Sequence, residues 1–309
     1  SYVGTQGRKL GVFLDANEPF LTIVDPTKNG SVTPNKRTFP FQQYSGISIG
    51  AFGSNSNYNG MVLSMKKRPS HGLSLQASYT YGKSLDNNSS FFGSTGEFGV
   101  YADSRNAVAE YGPSAFDIRH QLVAAYLYEL PFGKGRAFMR DANPVVENLL
   151  GGWNIAGITN WHTGYPFSVF ASSVTDFSGF NQFADRPISN GTPVNFNYDN
   201  PFNLFPGICA KAGPTCYSVF FTNPAAGNIG NVGRNSFYGP SYTDFDFSLQ
   251  KTFRVAEGKR IRLEGDFFNV FNHPNFALAN GNGASGGFAS ITSMSGNPRL
   301  LQLGVRFDF

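Results

Sequence analysis

The feature that most narrows the fold is a strict two-residue alternation sustained over unusually long stretches. Between Thr243 and Val255 the odd positions are Thr243, Phe245, Phe247, Leu249, Lys251, Phe253 and Val255, and the even ones are Asp244, Asp246, Ser248, Gln250, Thr252 and Arg254. Successive side chains on a strand point to opposite faces, so one face here is greasy and the other polar. After the turn Ala256-Glu257-Gly258-Lys259, Ile261, Leu263, Gly265, Phe267 and Phe271 are set against Arg260, Arg262, Glu264 and Asp266. The closing segment sets Arg299, Leu301, Leu303, Val305, Phe307 and Phe309 against Leu300, Gln302, Gly304, Arg306 and Asp308. Upstream, Asp117 to Leu130 alternates, as does Leu73 to Gly82, with weaker strands over Tyr58 to Arg68, Trp153 to Val169 and Ser1 to Phe13. That makes about eight strands of roughly 10 to 14 residues, longer than the five or six usual in soluble sheets and enough to cross a bilayer at a tilt. The expected fold is all-β, an antiparallel meander forming part of a transmembrane β-barrel.

Composition supports the membrane over a soluble sandwich. Charged residues make up 14% and aromatics 16%, where an ordinary soluble domain carries about 25% charge. Yet the longest apolar run, Leu122 to Tyr128, has 7 residues, and a membrane helix needs about 20. Helical spans are excluded, and the apolar content must be dispersed along strands. The net charge of +4 is scattered, with no basic block or aromatic-basic stripe, so nucleic acid is not an expected partner. Ser1-Tyr2-Val3-Gly4 begins inside a strand-like pattern without the regions of a signal peptide, and further chain upstream is expected.

The connections alternate in length. Short links near Pro69 to Gly72 and Val255 to Gly258 contrast with long ones over 14 to 56, 87 to 116, 171 to 240 and 272 to 298. Bacterial outer-membrane barrels place long loops outside and short turns in the periplasm. One link breaks the rule: Pro131 to Gly152 falls on the short side, and its Asn143-Pro144-Val-Val-Glu-Asn-Leu-Leu predicts a brief helix capped by Asn143. Cys209 and Cys216 lie in a Gly/Pro-rich loop, a spacing that suits a local disulfide in an oxidising compartment as well as two separate thiols.

Several segments resemble the C-terminal barrel of Oar-like TonB-dependent receptors. They are Asn57-Tyr-Asn-Gly-Met-Val-Leu-Ser-Met-Lys-Lys-Arg68, Ser78-Tyr-Thr-Tyr-Gly-Lys-Ser-Leu-Asp86, Asp117-Ile-Arg-His-Gln-Leu122 and Leu130-Pro-Phe-Gly-Lys-Gly135. Further along come Gly151-Gly-Trp-Asn-Ile-Ala-Gly157, Thr163-Gly-Tyr-Pro-Phe167 and Gly227-Asn-Ile-Gly-Asn-Val-Gly-Arg-Asn235. Asp244-Phe-Asp-Phe-Ser-Leu-Gln-Lys-Thr-Phe253, Phe267-Phe-Asn-Val-Phe-Asn-His-Pro-Asn-Phe276 and Leu303-Gly-Val-Arg-Phe-Asp-Phe309 complete the series. The resemblance implies a barrel of about 22 strands, a plug in its lumen and energy coupling through the TonB complex. On that reading residues 1–309 are the C-terminal portion of the barrel, and the plug and N-terminal strands lie outside them. It also implies that Phe309 is the terminal aromatic that barrel-assembly machinery reads, although Phe309 equally continues the outward apolar row. An open, curved sheet with waiting edges is expected.

No sign of catalysis accompanies this. His71, His120, His162 and His273 are scattered, and HExxH and CxxC are missing from the sequence, so neither an enzyme nor a metal or cofactor site is expected. Gly227, Gly230 and Gly233 precede a strand rather than a helix and read as a loop, not a phosphate cradle. Asp117, Arg119, Glu129, Arg260, Arg262, Glu264 and Asp266 are expected to line the lumen, either contacting a polar solute or a plug, or forming a solvated wall of cross-strand pairs. The leading expectation is uptake of a bulky solute through the outer membrane, in contact with its lipid. The alternatives are a surface protein that binds a partner without transport and a soluble secreted β-domain that binds carbohydrate.

Overall fold

In the computed structural model, residues 1–21, 37–89, 101–172, 177–178, 185–225 and 227–309 are described. Eight long strands run β1 (Tyr2–Asp15), β2 (Ser48–Ser70), β3 (Leu73–Asp86), β4 (His120–Glu129), β5 (Trp153–His162), β6 (Tyr242–Ala256), β7 (Lys259–Phe268) and β8 (Leu300–Asp308). Each pairs antiparallel with the next, so sheet order is sequence order, and Gly112–Pro113 adds a short ninth strand beside β3. β1 and β8 do not pair with each other, which leaves the described sheet open. Among the described residues two short α-helices interrupt the connections, α1 (Pro144–Leu150) and α2 (Pro214–Phe220).

Register turns the alternation into two continuous faces. Across β6, β7 and β8, Phe247 faces Phe267 and then Leu301, Leu249 faces Gly265 and Leu303, Lys251 faces Leu263 and Val305, and Phe253 faces Ile261 and Phe307. The other face sets Ser248, Asp266 and Gln302 in one row, then Gln250, Glu264 and Gly304, then Thr252, Arg262 and Arg306. The apolar face continues through Ile155, Tyr128 and Leu73, and through Trp161, Leu122, Tyr79 and Leu63. Away from its short-turn rim, where Lys251 is buried, nothing in the described structure covers it: Leu303 is 77%, Val305 63% and Phe307 65% exposed. A water-soluble antiparallel sheet buries its apolar face against a second layer, whereas a bare apolar face of this extent is made for another phase. Apart from a few at the loop ends of strands, such as Val12 and Asp86, the largest fully buried side chains lie instead in the long loops, around Phe205, Phe220, Phe221 and Phe288.

Aromatic residues mark the margins of this face. Trp161, Tyr79 and Tyr81 sit on it toward the long-loop end, and Trp153, Phe253 and Phe307 toward the short-turn end. Trp153 and Trp161 are 8 positions apart on β5, roughly 26 Å along a strand, close to the apolar band of about 25 Å in outer-membrane barrels. Lys67 and Lys251 share the outer face but stand near its short-turn margin. There the Lys67 stem can lie on apolar surface with its ammonium reaching the interface, while the Lys251 ammonium is buried against the Gly151 carbonyl.

The turns behave as the loop lengths require. His71 and Gly72, with φ of 52° and 79°, close β2 to β3 in a two-residue turn of the primed kind. A side chain at Gly72 would also collide with the Glu129 carbonyl oxygen, 2.7 Å from the position of its Cβ. The exceptional link contains α1, whose Asn143 Oδ1 accepts from the Val146 N–H at 2.9 Å, with Pro144 in the first turn.

Several strand limits differ from the alternation. β2 extends over 23 residues and pairs with β1 back to Ser48, so the first hairpin runs past the lipid margin into loop territory. β4 begins at His120 rather than Asp117, because the Asp117 carboxylate accepts the Ser84 N–H at 2.6 Å and ties that segment to the end of β3. β5 stops at His162, where the Thr163 hydroxyl accepts from the Arg119 and His120 N–H groups, and Pro166–Phe167 pairs instead with Phe237–Tyr238. The assigned faces predict an asymmetry: Leu263→Arg should lower stability in lipid by about 2–4 kcal/mol, while Arg262→Leu should change it far less. Urea titrations of both variants folded into vesicles measure this, and equal losses would contradict the facing.

Candidate functional site: the inner wall and its loop cap

The polar face carries a charge gradient along the strands. On β6, Asp244 and Asp246 lie toward the long loops and Arg254 toward the turns; on β7, Asp266 and Glu264 give way to Arg262 and Arg260. β8 adds Arg306 beside Arg262, and Asp308 at the turn end lies 3.9 Å from Arg262 and 2.9 Å from Arg306. Glu264 accepts from Gln250 at 2.7 Å, and Asp246 accepts the Asn269 N–H at 3.0 Å. Glu129, at the turn end of β4, pairs with Arg136 at 2.8 Å. Glu129, Arg260, Arg262, Glu264 and Asp266 all lie on the polar face of the sheet. The acidic half of β6 and β7 faces the long-loop end and the basic half faces the turns.

Asp117 is placed differently from the expectation that it lines the lumen, whereas Arg119 is partly exposed beside it. Asp117 is 1% exposed and braces the loops: besides the Ser84 N–H, it meets Arg119 at 3.6 Å and the Tyr238 hydroxyl at 3.5 Å. A carboxylate so enclosed cannot meet a solute. It satisfies backbone and side-chain donors at the rim.

The wall also holds an apolar stripe that counting charges overlooks. On the polar face Val123 stands opposite Asn160, Ala125 opposite Ile158 and Leu127 opposite Ala156, and Val123, Leu127 and Ile158 are exposed there. Ala125, Ala156 and Ile158, with Asp246, Asp266 and Phe268, line a groove of about 290 Å³. A second groove of about 340 Å³ follows toward the loops, lined by Tyr242, Asp244, Asp246, Asn275 and Asn297, and the Tyr242 ring stacks on His162 at 5.1 Å. The Leu122 to Tyr128 run, the longest unbroken apolar run in the sequence, was the sequence signal for the stripe.

Above the wall the long loops fold into a cap. Its core gathers Phe167, Val169, Leu204, Phe205, Tyr217, Phe220, Phe221 and Phe288, tied by a disulfide between Cys209 and Cys216. Two buried arginines fasten it to the rim. Arg186 donates to both carboxylate oxygens of Glu110 at 3.1 and 2.9 Å, and Arg234 pairs with the Asp86 carboxylate while its Nε donates to the Glu110 carbonyl at 2.7 Å. Glu110 ends a short 3₁₀ turn, Ala107–Glu110, capped by Asn106. The Gly-rich loop is part of this fastening: at Gly230 a Cβ would sit 2.1 Å from the Arg186 carbonyl oxygen and 2.2 Å from that of Pro187, so only glycine lets the chains touch. No group of three or more His, Cys, Asp or Glu side chains placed to hold a metal ion occurs among the described residues.

A second contact joins the loops after β1 and β3. Glu18 accepts the Ser104 N–H at 2.8 Å, with Arg105 3.9 Å away. Burial pushes the Glu18 carboxyl up to about 7, Asp103 adds to the rise, and the Ser104 N–H and Arg105 oppose it.

An open sheet with one lipid-suited face, two aromatic margins, a charged inner wall and long loops on one end defines the wall of an outer-membrane β-barrel. Residues 1–302 match the outer membrane beta barrel domain family, and the chain belongs to it; its place is the outer membrane of a Gram-negative bacterium. The soluble secreted reading falls with that membership. Among solved structures, the pyoverdine outer membrane receptor FpvA from Pseudomonas aeruginosa, bound to pyoverdine, aligns with 100% of this chain and 26% of its own, at 13% identity and a TM-score of 0.41. The outer membrane transporter YddB from Escherichia coli aligns with 98% of this chain and 29% of its own, at 13% identity and a TM-score of 0.45. The chain thus spans less than a third of either protein. No curated protein matches it.

The latch and the carboxyl contact give separate expectations. Arg234→Met strands the buried Asp86 carboxylate and should cost about 3–5 kcal/mol, seen as faster proteolysis of the 185–241 segment while β6 to β8 stay protected. For Glu18, the folded pKa of about 7 lies above the ordinary 4.5, so the protonated form favours the packed loop. Its contribution is fully present below about 4.5 and is lost as pH rises through about 7. Protection of the Ser104 amide from hydrogen exchange, corrected for intrinsic rate, should fall across that window, and Glu18→Gln should flatten the dependence.

Proposed function

We propose that this chain is the C-terminal portion of the barrel of a TonB-dependent receptor of the Oar-like type, and that the full-length protein takes up a bulky solute across the outer membrane without chemically altering it. The observation that carries the reading is the inner wall: graded charge, an apolar stripe and two adjoining grooves lie on the face away from lipid, beneath a folded cap. A wall that only had to be wet would not need exposed Val123, Leu127 and Ile158 on its water side. A large solute or a plug with mixed polarity would use them. The unpaired edges of β1 and β8 suit strands contributed by the rest of a wider barrel. The sequence resemblance supplies the remaining parts of the proposal, namely a plug, coupling to the TonB complex and assembly through Phe309.

The test is uptake by the host. Deleting the gene should leave a bulky polar solute unconsumed in the medium, and an uncoupler of the proton gradient should reproduce that defect in the parent strain. A deletion strain that consumes every solute normally but loses attachment to surfaces would overturn transport in favour of the non-transporting surface protein.

A further inference from the structure

We infer that the periplasmic link between β4 and β5 is a membrane anchor that binds anionic phospholipid headgroups of the inner leaflet of the outer membrane. A barrel turn at this end needs only a few residues, yet Pro131 to Gly152 supplies a helix and a second small loop.

The placement is set by the lipid-facing row. The Trp153 Nε1–H donates to the Leu149 carbonyl at 3.0 Å, and the Lys251 ammonium donates to the Gly151 carbonyl while lying 5.4 Å from the Trp153 ring and 5.1 Å from that of Phe253. Trp153, Lys251 and Phe253 all belong to the outer face, so the C-terminal turn of α1 rests on the lipid side of the rim. On α1, Val145 and Leu149 are four positions apart on one side, 67% and 65% exposed. Glu147 turns the opposite way, taking the Lys134 N–H. The neighbouring Phe132 and Phe138 rings pair at 5.7 Å and stay exposed, as does Met139.

Charge selects the occupant. Lys134, Arg136 and Arg140 are exposed on the same link. Arg136 is engaged by Glu129, which leaves Lys134 and Arg140 as the cations of the link best placed for phosphate oxygens. Apolar side chains continuous with an established lipid face and bordered by cations form an interfacial anchor, with the hydrocarbon entering the acyl boundary and the cations meeting anionic headgroups.

The experiment uses the full chain folded into vesicles of phosphatidylcholine with or without phosphatidylglycerol, and the emission that Val145→Trp adds over the parent protein reports from the helix while Trp153 keeps its bond to Leu149. Acyl-brominated lipids should quench it and aqueous acrylamide should not, and quenching should strengthen when the brominated lipid is phosphatidylglycerol. Lys134→Ser with Arg140→Ser, both exposed, should weaken that preference on the order of tenfold while the barrel stays folded by its resistance to unfolding in cold detergent. Quenching by acrylamide alone would overturn the proposal and place the helix in water, available to a protein partner or a second copy. Equal quenching by both brominated lipids would also overturn it, since no headgroup would be recognised.

Discussion

Lipid offers no hydrogen-bond partner to a peptide group, and the rest of the structure follows from that one deficit. Every backbone N–H and C=O within the membrane must be answered by a neighbouring strand. This is why eight strands pair in strict sequence order through antiparallel ladders, and why their registers run with few interruptions. Side chains are then free to divide by face alone. Leucine, valine and phenylalanine on β8 can stand bare because their solvent is hydrocarbon, and an arginine one position away can stand in water.

Beyond the lipid margin the same chain meets the opposite problem. The long loops have no sheet of their own, so their order comes from a local aromatic core and from charges paired out of water. Two arginines at the rim, Arg186 and Arg234, reach Glu110 and Asp86. Such pairs recover their desolvation cost only when the geometry is good and the remaining donors are filled. Here the guanidinium of Arg234 also finds the Glu110 and Asp86 carbonyls. The pairs add direction more than strength, fixing where the cap sits over the wall.

Strand count, facing, turn side and the α1 cap were legible because each is written locally, as period two, as Gly258 at a turn, or as Asn143 before Pro144. Asp117 was misjudged because it continues the parity of β4, while the Ser84 N–H that claims it lies 33 positions away. The cap was illegible for a related reason. Phe205, Phe220 and Phe288 converge from two separate loops without periodicity, and Arg234 finds Asp86 across 148 positions. Pairing at such range leaves no trace in spacing. The apolar stripe was visible in part, since Val123, Ala125 and Leu127 stand in the polar row, but one strand cannot reveal that Ile158 and Ala156 complete it.

The gradient on the inner wall has a meaning that depends on distance. Asp266 and Arg260 are 6 positions apart on β7, roughly 20 Å along the strand, while charges in physiological salt are screened over about 8 Å. The acidic and basic halves therefore do not cancel, and neither projects far into an open, water-filled lumen. Each acts on what touches it. A small solute diffusing along the axis of a wide pore would feel almost none of this pattern, whereas a group pressed against the wall near Ile158 would meet apolar surface with carboxylates on the loop side and guanidinium groups on the periplasmic side. Charge arranged in this way serves contact, not steering, and that is the physical reason to look for the partner of this wall among large ligands or folded segments that fill the lumen.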